Sequence, residues 1–396
     1  MSESKKKILI TGASIAGPCA AFWLSRQGFE VTVVERAPRF RTGGQNIDIR
    51  GPGQTVIDLM GLRVEIEKAT TGELGLEFIG ADGQTTARFP RHGGTSFTSD
   101  IEILRGDLAR IFVEATEPAV EYRYGRHVTA VEDREDGVTV TFDDAEQEDY
   151  WLLINAEGIG SKTRSLVFGD EAAIDFLGVY TSYFFVPREE GDTDWAQWYN
   201  AEGGRMVILR PGTPDSLSAS FNFHTNERGL EKLDADTQKK MVQDLLRDAG
   251  WKCARLAEHV SEDDDFYFGA LSQVKAPRWS KGHCVMIGDA AHCPSPLTGM
   301  GTTLAIVGSY VLAGELSRKP LAEALASYEK IMRPYVEETQ KLPPGVPRLA
   351  YPKSRLGVRA LNTAVAAAAS RPVQSVMSAF SKRPASRESF ELPEYA

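Results

Sequence analysis

Residues 288–301 carry the side chains and the spacing with the clearest chemical meaning in this chain of 396 residues. The stretch reads GDAAHCPSPLTGMG and lies between a strand-like run, 283–287, and a long helical pattern, 302–316. Asp289 can accept hydrogen bonds from hydroxyl groups, while the last two glycines let the backbone approach a flat ligand closely. The free N–H groups of the following helix direct its positive dipole end at the same ligand. The pattern predicts a site for a ligand with hydroxyls and developing negative charge, although a plain strand-to-helix connection also fits it.

A second stretch, residues 7–35, predicts the same kind of ligand. It contains a strand, a glycine-rich turn at 12–17 (GASIAG), a helix and a second strand that ends at Glu35, 23 positions after Gly12. A βαβ unit of this kind supplies the tight turn, the helix N-terminus and the carboxylate that hold the pyrophosphate and ribose of a dinucleotide. Ser14 departs from the pattern, because its Cβ narrows the approach of the backbone to the phosphates slightly.

The remaining chain supplies the elements that must position these two stretches. A basic, glycine-rich connection, 36–53, suits a loop over a phosphate-bearing ligand, although a solvated surface loop fits it equally well. Residues 178–223 alternate as β-strands and are rich in aromatic side chains, which predicts an inserted antiparallel sheet whose aromatic face is either core or a binding wall. The predicted regions are a cofactor domain (1–72, 99–176 and 270–342), a substrate domain (73–98 and 177–269) and a helical C-terminal tail (343–396), whose last six residues are expected to be poorly ordered.

The composition argues against several classes of function. A formal net charge of −10 disfavours nonspecific nucleic-acid binding, which needs a basic face. The four cysteines and six histidines show no metal-ligand spacing, and cysteines beside apolar runs are typical of small buried side chains. No run reaches about 18 apolar residues, and no signal-peptide pattern follows the N-terminal lysines, so a cytoplasmic protein is expected.

Three motifs, in this order, resemble those of one known family, the class A flavoprotein monooxygenases, which include para-hydroxybenzoate hydroxylase. The first is the glycine-rich turn with Glu35, the second is 156–164 (AEGIGSKTR), and the third is 288–301. Together they extend the resemblance over residues 7–342. Within the family, residues 43–53 and the tail helix resemble those of tetracycline-inactivating and other antibiotic-modifying monooxygenases.

The resemblance implies an α/β fold, in which a Rossmann-like FAD-binding domain of the GR2 type carries an inserted antiparallel-sheet substrate domain and a C-terminal helix. It places Glu35 on the adenosine ribose, Asp289 near the ribityl chain or the pyrophosphate, and 299–302 at the N1–C2=O edge of the flavin. A helix N-terminus at that edge stabilises the negative charge of a reduced flavin. The cofactor-binding residues it implies are Gly12, Ser14, Ile15, Ala16, Gly17, Glu35, Arg36, Asp48, Arg105, Asp289, Pro296, Gly299, Met300, Gly301 and Thr302. The residues expected at the substrate are Gln45, Trp198, Phe221, Phe223 and Pro296.

The resemblance also implies the reaction. NAD(P)H reduces FAD, O₂ adds at flavin C4a, and the resulting hydroperoxide transfers one oxygen atom to a small aromatic or polyketide-like substrate. The flavin carries this chemistry, so the sequence identifies no catalytic side chain and no metal. Glu157, Thr303 and Gly308 depart from the family's usual residues, and their effect on nicotinamide use and on flavin contact stays open.

Flavoproteins with different functions share the same cofactor motifs. A flavin halogenase would carry them, but the segment from Trp195 to Trp198 does not fit the halogenase motif Trp-x-Trp-x-Ile-Pro. A non-hydroxylating flavoprotein reductase also fits the motifs, as does a flavoprotein that binds a small molecule without converting it. In each case the expected partner is a small aromatic molecule rather than nucleic acid or a membrane, and the protein is expected to be a monomer or a homodimer.

Overall fold

The computed structural model describes residues 5–91, 99–263, 265–343, 345–370 and 390–395. Parts of the predicted segments 73–98 and 343–396 therefore lie outside the described residues. The β-strands are β1 (Lys7–Thr11), β2 (Glu30–Glu35), β3 (Asn46–Ile49), β4 (Gly75–Ile79), β5 (Thr85–Pro90), β6 (Ile101–Leu104), β7 (Val120–Tyr124), β8 (Val128–Asp133), β9 (Val138–Phe142), β10 (Gln147–Tyr150), β11 (Leu152–Asn155), β12 (Ala173–Pro187), β13 (Ala196–Ala201), β14 (Arg205–Pro211), β15 (Ser216–His224), β16 (Tyr267–Lys275), β17 (Ser280–Lys281) and β18 (Cys284–Met286). The α-helices are α1 (Ala16–Arg26), α2 (Pro52–Met60), α3 (Arg63–Lys68), α4 (Arg105–Glu114), α5 (Lys162–Phe168), α6 (Ala235–Arg247), α7 (Cys253–His259), α8 (Asp289–His292), α9 (Gly301–Arg318), α10 (Leu321–Gln340), α11 (Val346–Ala350) and α12 (Arg355–Ala369).

A six-stranded sheet contains the N-terminal βαβ unit. Its strand order is β17-β18-β11-β1-β2-β7, and the neighbouring pairs are parallel except for β17 with β18. Ile8, Leu9 and Ile10 of the central strand β1 are 0% exposed, as expected for a parallel sheet that is covered on both faces. The order places β1 beside β11 and β11 beside β18, so the three sequence motifs begin at the ends of adjacent strands.

Helices cover one face of this sheet and a small antiparallel sheet covers the other. Ile8 and Ile10 share a hydrophobic core with α1, α9 and α10, whereas Leu9 packs with the strands of the β10-β9-β8 sheet. Residues 303–316 of α9 are buried on all sides, which is typical of a helix in the centre of a large core. No helix in the described ranges is both long and apolar enough to cross a membrane.

A second large sheet has the order β16-β12-β15-β14-β13-β4-β5 and is antiparallel apart from the β13–β4 pair. Helices α6 and α7 cover one face of it through a shared hydrophobic core. Two of the connections to the first domain are long strands: β12 begins at Ala173 and β16 ends at Lys275. Strand β12 therefore begins before residue 177 and β16 ends after residue 269, the predicted limits of the second segment of the substrate domain.

The C-terminal segment 390–395 packs on the first domain, in contrast to the poor order expected for it. Phe390 stacks on Tyr335 of α10 with ring centroids 4.6 Å apart. The hydroxyl of Tyr395 donates a 2.7 Å hydrogen bond to the carboxylate of Glu315 on α9. The apolar rings of this segment are partly buried against the two helices, and this packing outweighs the tendency of a chain end to be poorly ordered.

Candidate functional site

A cavity of about 410 Å³ lies between the first domain and the face of the second large sheet that is opposite α6 and α7. The predicted residues that line it are Ser14, Ile15, Ala16, Gln45, Asp48, Arg105, Trp198, Asp289, Pro296, Gly299, Gly301 and Thr302. Gly12, Glu35 and Arg36 line a separate cavity of about 70 Å³ on the other side of the glycine-rich turn. The predicted residues that line neither cavity are Gly17, Met300, Phe221 and Phe223.

The glycine-rich turn is held in place by close packing and by Glu35. Gly12 has φ +102°, and a Cβ added there would lie 2.5 Å from the carbonyl oxygen of Ala156. A Cβ on Gly17 would overlap the carbonyl group of Gly12. The carboxylate of Glu35 accepts hydrogen bonds from the N–H groups of Ala13 (3.0 Å) and Ala37. No side chain caps α1 among the described residues, so its first N–H groups remain available to an anion.

Arg105 is the first residue of α4 and brings a positive charge to this turn. Its Nη1 donates to the hydroxyl of Ser14 at 2.9 Å, and its Nη2 donates to the carbonyl of Gly43 at 2.8 Å. Burial, together with the nearby Arg41, lowers the pKa of Arg105, which nevertheless stays charged at neutral pH. Within the described ranges no carboxylate forms an ion pair with it. A half-buried guanidinium of this kind fits a phosphate group of a ligand.

The turn that follows β18 brings an unpaired carboxyl to the same cavity. Asp289 lines the cavity and forms no ion pair with any described residue, and burial raises the pKa of its carboxyl. Helix α9 begins at Gly301 with no side-chain cap among the described residues. These features fit a ligand with hydroxyl groups near Asp289 and an electron-rich edge near 299–302. With Arg105 and the start of α1, the cavity therefore suits a long ligand that carries phosphates at one end.

Two of the residues that depart from the family pattern stabilise the framework. The Glu157 carboxylate accepts hydrogen bonds from the backbone N–H (3.0 Å) and the hydroxyl (2.6 Å) of Thr163 at the start of α5. From the same helix, Arg164 donates to the carbonyl of Ala290 at 3.1 Å, which ties the second motif to the third. Thr303 accepts a 3.0 Å hydrogen bond from the backbone N–H of Arg50.

Gly308, the third departure, lies away from the cavity. A Cβ added there would make ordinary contacts, at 3.6 Å, with Met332 and Tyr328 of α10. This position therefore belongs to the packing of α9 against α10.

The structure does not bring Phe221 and Phe223 to the cavity. Both belong to the core under α6 and α7, where Phe223 stacks on Tyr180 at 5.7 Å. Because side chains alternate across a strand, the cavity face of β15 carries Ser218, Ser220 and Asn222 instead. The expectation of two aromatic substrate contacts on β15 is corrected to this small polar set.

Sequence reasoning missed several residues on the cavity wall. They are Tyr183, Met206, Ile208, Arg210 and Tyr351. Met206, Ile208 and Arg210 alternate along β14, so a period-two analysis could have identified them as one face of the sheet. Tyr351 follows α11 in the C-terminal tail, and nothing in the local sequence connects it with the cavity.

Phe223→Leu tests the assignment of the two sheet faces. We expect the substitution to lower the free energy of unfolding by about 1–1.5 kcal/mol, because it removes a stacked ring from the core. Urea denaturation measures this, with Ser218→Ala on the cavity face as the control, whose change should lie within about 0.5 kcal/mol. Unchanged stability of Phe223→Leu would contradict the burial of this ring.

The chain is similar to flavin-dependent enzymes over most of its length. Residues 5–341 match a family model described as an FAD binding domain. The monooxygenase CTB7 of Cercospora beticola is 36% identical over 386 residues, which cover 92% of each chain. A flavin-dependent monooxygenase of Legionella longbeachae is 34% identical over 343 residues, covering 85% of this chain and 87% of the relative.

Solved structures share the fold. The tetracycline destructase Tet(51) superposes with a TM-score of 0.82 at 30% identity and covers 99% of this chain and 100% of its own. HpxO of Klebsiella pneumoniae, complexed with FAD and uric acid, superposes with a TM-score of 0.74 at 20% identity, covering 94% and 96%. The second likeness concerns the fold alone. Together they confirm the predicted α/β fold class with its Rossmann-like domain.

Proposed function

We propose a reaction for this chain from its family: it belongs to the FAD binding domain family and is a flavoprotein monooxygenase. The proposed reaction is the hydroxylation of a small aromatic or polyketide-like molecule, with NADPH or NADH as reductant. The predicted family, enzyme class and flavin cofactor are confirmed. The observation that carries the proposal is one continuous cavity, which extends from the glycine-rich turn to the small polar residues of the second sheet.

The residues of the first domain suit the parts of FAD. Arg105, Ser14 and the start of α1 would hold the phosphates, while Glu35 lies where the ribose of the adenosine would be. Asp289 would accept hydrogen bonds from the hydroxyl groups of the cofactor, and 299–302 would face the flavin edge. A reduced flavin bound there would supply the activation of O₂ and the transfer of one oxygen atom.

The cavity face of the second sheet suits a flat substrate with several oxygen atoms. Trp198, Met206 and Ile208 supply apolar area, and the small polar side chains of β15 lie beside them. Trp198 is fixed in orientation, because it stacks on Phe78 at 5.5 Å and its Nε1 donates to the side-chain oxygen of Asn200 at 2.7 Å. A mixed wall of this kind binds aromatic molecules that carry hydroxyl or carbonyl groups.

Similarity to a tetracycline destructase narrows the proposed substrate class. That structure covers 99% of this chain at 30% identity, so the two chains share the same framework. We therefore include the modification of polycyclic antibiotics in the proposal, with tetracyclines as the first compounds to be tested.

The decisive experiment follows NADPH and NADH oxidation in air by the FAD-loaded enzyme, with a panel of phenols and tetracyclines. Oxidation that one compound accelerates, with a product one oxygen atom heavier, would support the proposal. A reduced product without added oxygen would identify a flavoprotein reductase, and a halogenated product a halogenase. Tight binding of a compound without turnover would identify a binding flavoprotein.

Trp198→Ala tests the substrate wall. We expect it to raise KM for the accepted substrate about tenfold, equivalent to roughly 1.4 kcal/mol of lost contact with the ring, and to leave FAD affinity unchanged. Steady-state kinetics and FAD titration measure the two effects. Trp195→Ala is the matched control, because Trp195 lies under Arg88 at 4.6 Å and does not line the cavity. An equal rise in KM in both variants would contradict the assignment.

A further inference from the structure

A buried cluster of ionisable groups lies behind the substrate end of the cavity. Arg210 of β14 lines the cavity, and its Nε donates a 2.7 Å hydrogen bond to Glu73 Oε2. Its Nη2 lies 3.6 Å from Glu102 Oε1 on β6. The carboxylate of Glu102 also accepts hydrogen bonds from the hydroxyl of Thr71 and, at 2.5 Å, from the side-chain amide of Asn46. One guanidinium therefore faces two carboxyl groups.

The two carboxyl groups are almost completely shielded from water. Glu73 and Glu102 are each 1% exposed, and Arg210 is the one cation with which either forms an ion pair among the described residues. If both carboxyls were ionised, the cluster would hold an uncompensated negative charge in a site of low polarity. Such a charge is costly to bury, and proteins usually avoid it by retaining a proton.

The surroundings of Glu73 point to the same conclusion. Its Oε1 has no hydrogen-bond partner among the described residues, and an unpartnered buried oxygen costs more free energy in an ionised carboxylate than in a neutral carboxyl. Burial raises the pKa of Glu73 to about 7, although Arg210 opposes the shift, and the charges of Glu102 and Asp48 add to it.

The charged and titratable groups around the pair come from several elements. Arg210 faces it from β14, and Asp48 faces it from β3. Asp48 is itself paired with Arg50 at 3.1 Å. Tyr183 of β12 lies close enough to Arg210 to interact with its charge. The side chains of Thr71 and Asn46 complete the surroundings but are uncharged.

We propose that Glu73 and Glu102 share one proton and act as positioning residues for Arg210, so that the substrate end of the cavity is neutral while this proton is held and negative after it is lost. An acidic group of the substrate, such as a phenolate or enolate, would pair with the edge of Arg210 that lines the cavity. Loss of the proton then weakens this pairing by repulsion. This consequence for substrate binding rests on the proposed function, whereas the shared proton does not.

Infrared spectroscopy of the full-length, FAD-loaded enzyme between pH 5 and pH 9 tests the shared proton directly. We expect a protonated-carboxyl band that disappears near neutral pH in the wild type. This component should be absent in Glu73→Gln, and in Glu102→Gln it should disappear at a lower pH than in the wild type, because one negative charge beside the buried Glu73 has been removed. Glu135→Gln, in an exposed turn between β8 and β9, is the control and should retain the band. A wild type without the component, or an unchanged component in both variants, would overturn the proposal.

The pH dependence of Tm separates a shared proton from an ordinary ion pair. When the pKa of a carboxyl is higher in the folded state than in the unfolded state, its contribution to stability is fully present at pH values below the unfolded-state pKa. That contribution is lost as the pH rises through the folded-state pKa. The Tm of Glu73→Gln relative to wild type should therefore increase by roughly 2–5 °C between pH 5 and pH 8. If Glu73 were an ordinary member of an ion pair, the Tm of Glu73→Gln relative to wild type would stay constant or decrease between pH 5 and pH 8.

The substrate consequence has its own readout. If the monooxygenase reaction is found, KM for an acidic substrate should rise above neutral pH in the wild type and stay level in Glu73→Gln, with kcat changed little. If no such reaction is found, the infrared and Tm measurements still decide whether the proton is shared. A KM profile that is identical in the two enzymes would overturn the positioning role.

Discussion

Replacing Gly12 with alanine is expected to weaken FAD binding strongly, so that concentrations just sufficient to saturate the wild type leave most of the variant without cofactor. A Cβ at this position would lie 2.5 Å from the carbonyl oxygen of Ala156, in a residue with φ +102°. The turn must then move away from β11, and the start of α1 moves with it. We expect FAD affinity to fall by on the order of 100-fold, or about 3 kcal/mol, as measured by the quenching of flavin fluorescence on titration.

Gly28→Ala is the matched control for this experiment. Gly28 has φ +88°, so alanine there suffers comparable backbone strain, but no atom lies within 4 Å of the added Cβ. Gly28→Ala should lose some stability and keep its FAD affinity. If both variants lost FAD equally, general destabilisation rather than displacement of the turn would explain the result.

Arg105→Ala is expected to weaken FAD binding by about 10–100-fold, which corresponds to the loss of charge-assisted hydrogen bonds to phosphate. The guanidinium donates to Ser14 and to Gly43, and no described carboxylate neutralises it. Isothermal titration of the apoprotein with FAD measures the change. Binding should also become less sensitive to salt, because a cation that contacts the ligand has been removed.

The control for Arg105 lies on the same helix. Arg110 of α4 is partly exposed, pairs with Glu114 at 3.0 Å and does not line the cavity, so Arg110→Ala removes the same charge from the chain without changing the cavity. Its FAD affinity should equal that of the wild type. Wild-type affinity in Arg105→Ala would show that this guanidinium does not hold the phosphates.

The glycine-rich turn and the Asp289 turn could be predicted because their chemistry is local. A glycine at a positive φ, an acidic residue after a strand and an uncapped helix start are all visible within a few positions of each other. The strands that adjoin them are continuous apolar runs, which predict a buried parallel sheet. The family resemblance supplied the cofactor that these features hold.

The wall of the substrate end was predictable only in part. On β15 a shift of one residue moves every side chain to the other face, and composition alone favoured Phe221 and Phe223 over Ser220 and Asn222. The aromatic side chains are core because α6 and α7 cover their face. The position of those helices depends on the tertiary structure and cannot be predicted from the residue pattern of the strand.

The cluster at Arg210 and the packing of 390–395 also depend on tertiary contacts. Glu73, Glu102 and Arg210 come from a loop, from β6 and from β14, and no spacing rule connects them. For the tail, its position at the chain end suggested poor order, and the helices that contact Phe390 and Tyr395 are distant in sequence.

The strand order of the first sheet determines when a growing chain on the ribosome can first hold its cofactor. The glycine-rich turn leaves the ribosome early, yet β1 has β11 as a neighbour, and β11 in turn pairs with β18, whose following turn carries Asp289. At a synthesis rate of about 5–20 residues per second, the segment from β2 to α9 takes roughly 15–50 s to make. Messages that end prematurely before β18 would therefore yield chains with a phosphate-binding turn and no place for the flavin, and such chains would depend on chaperones and proteases for removal.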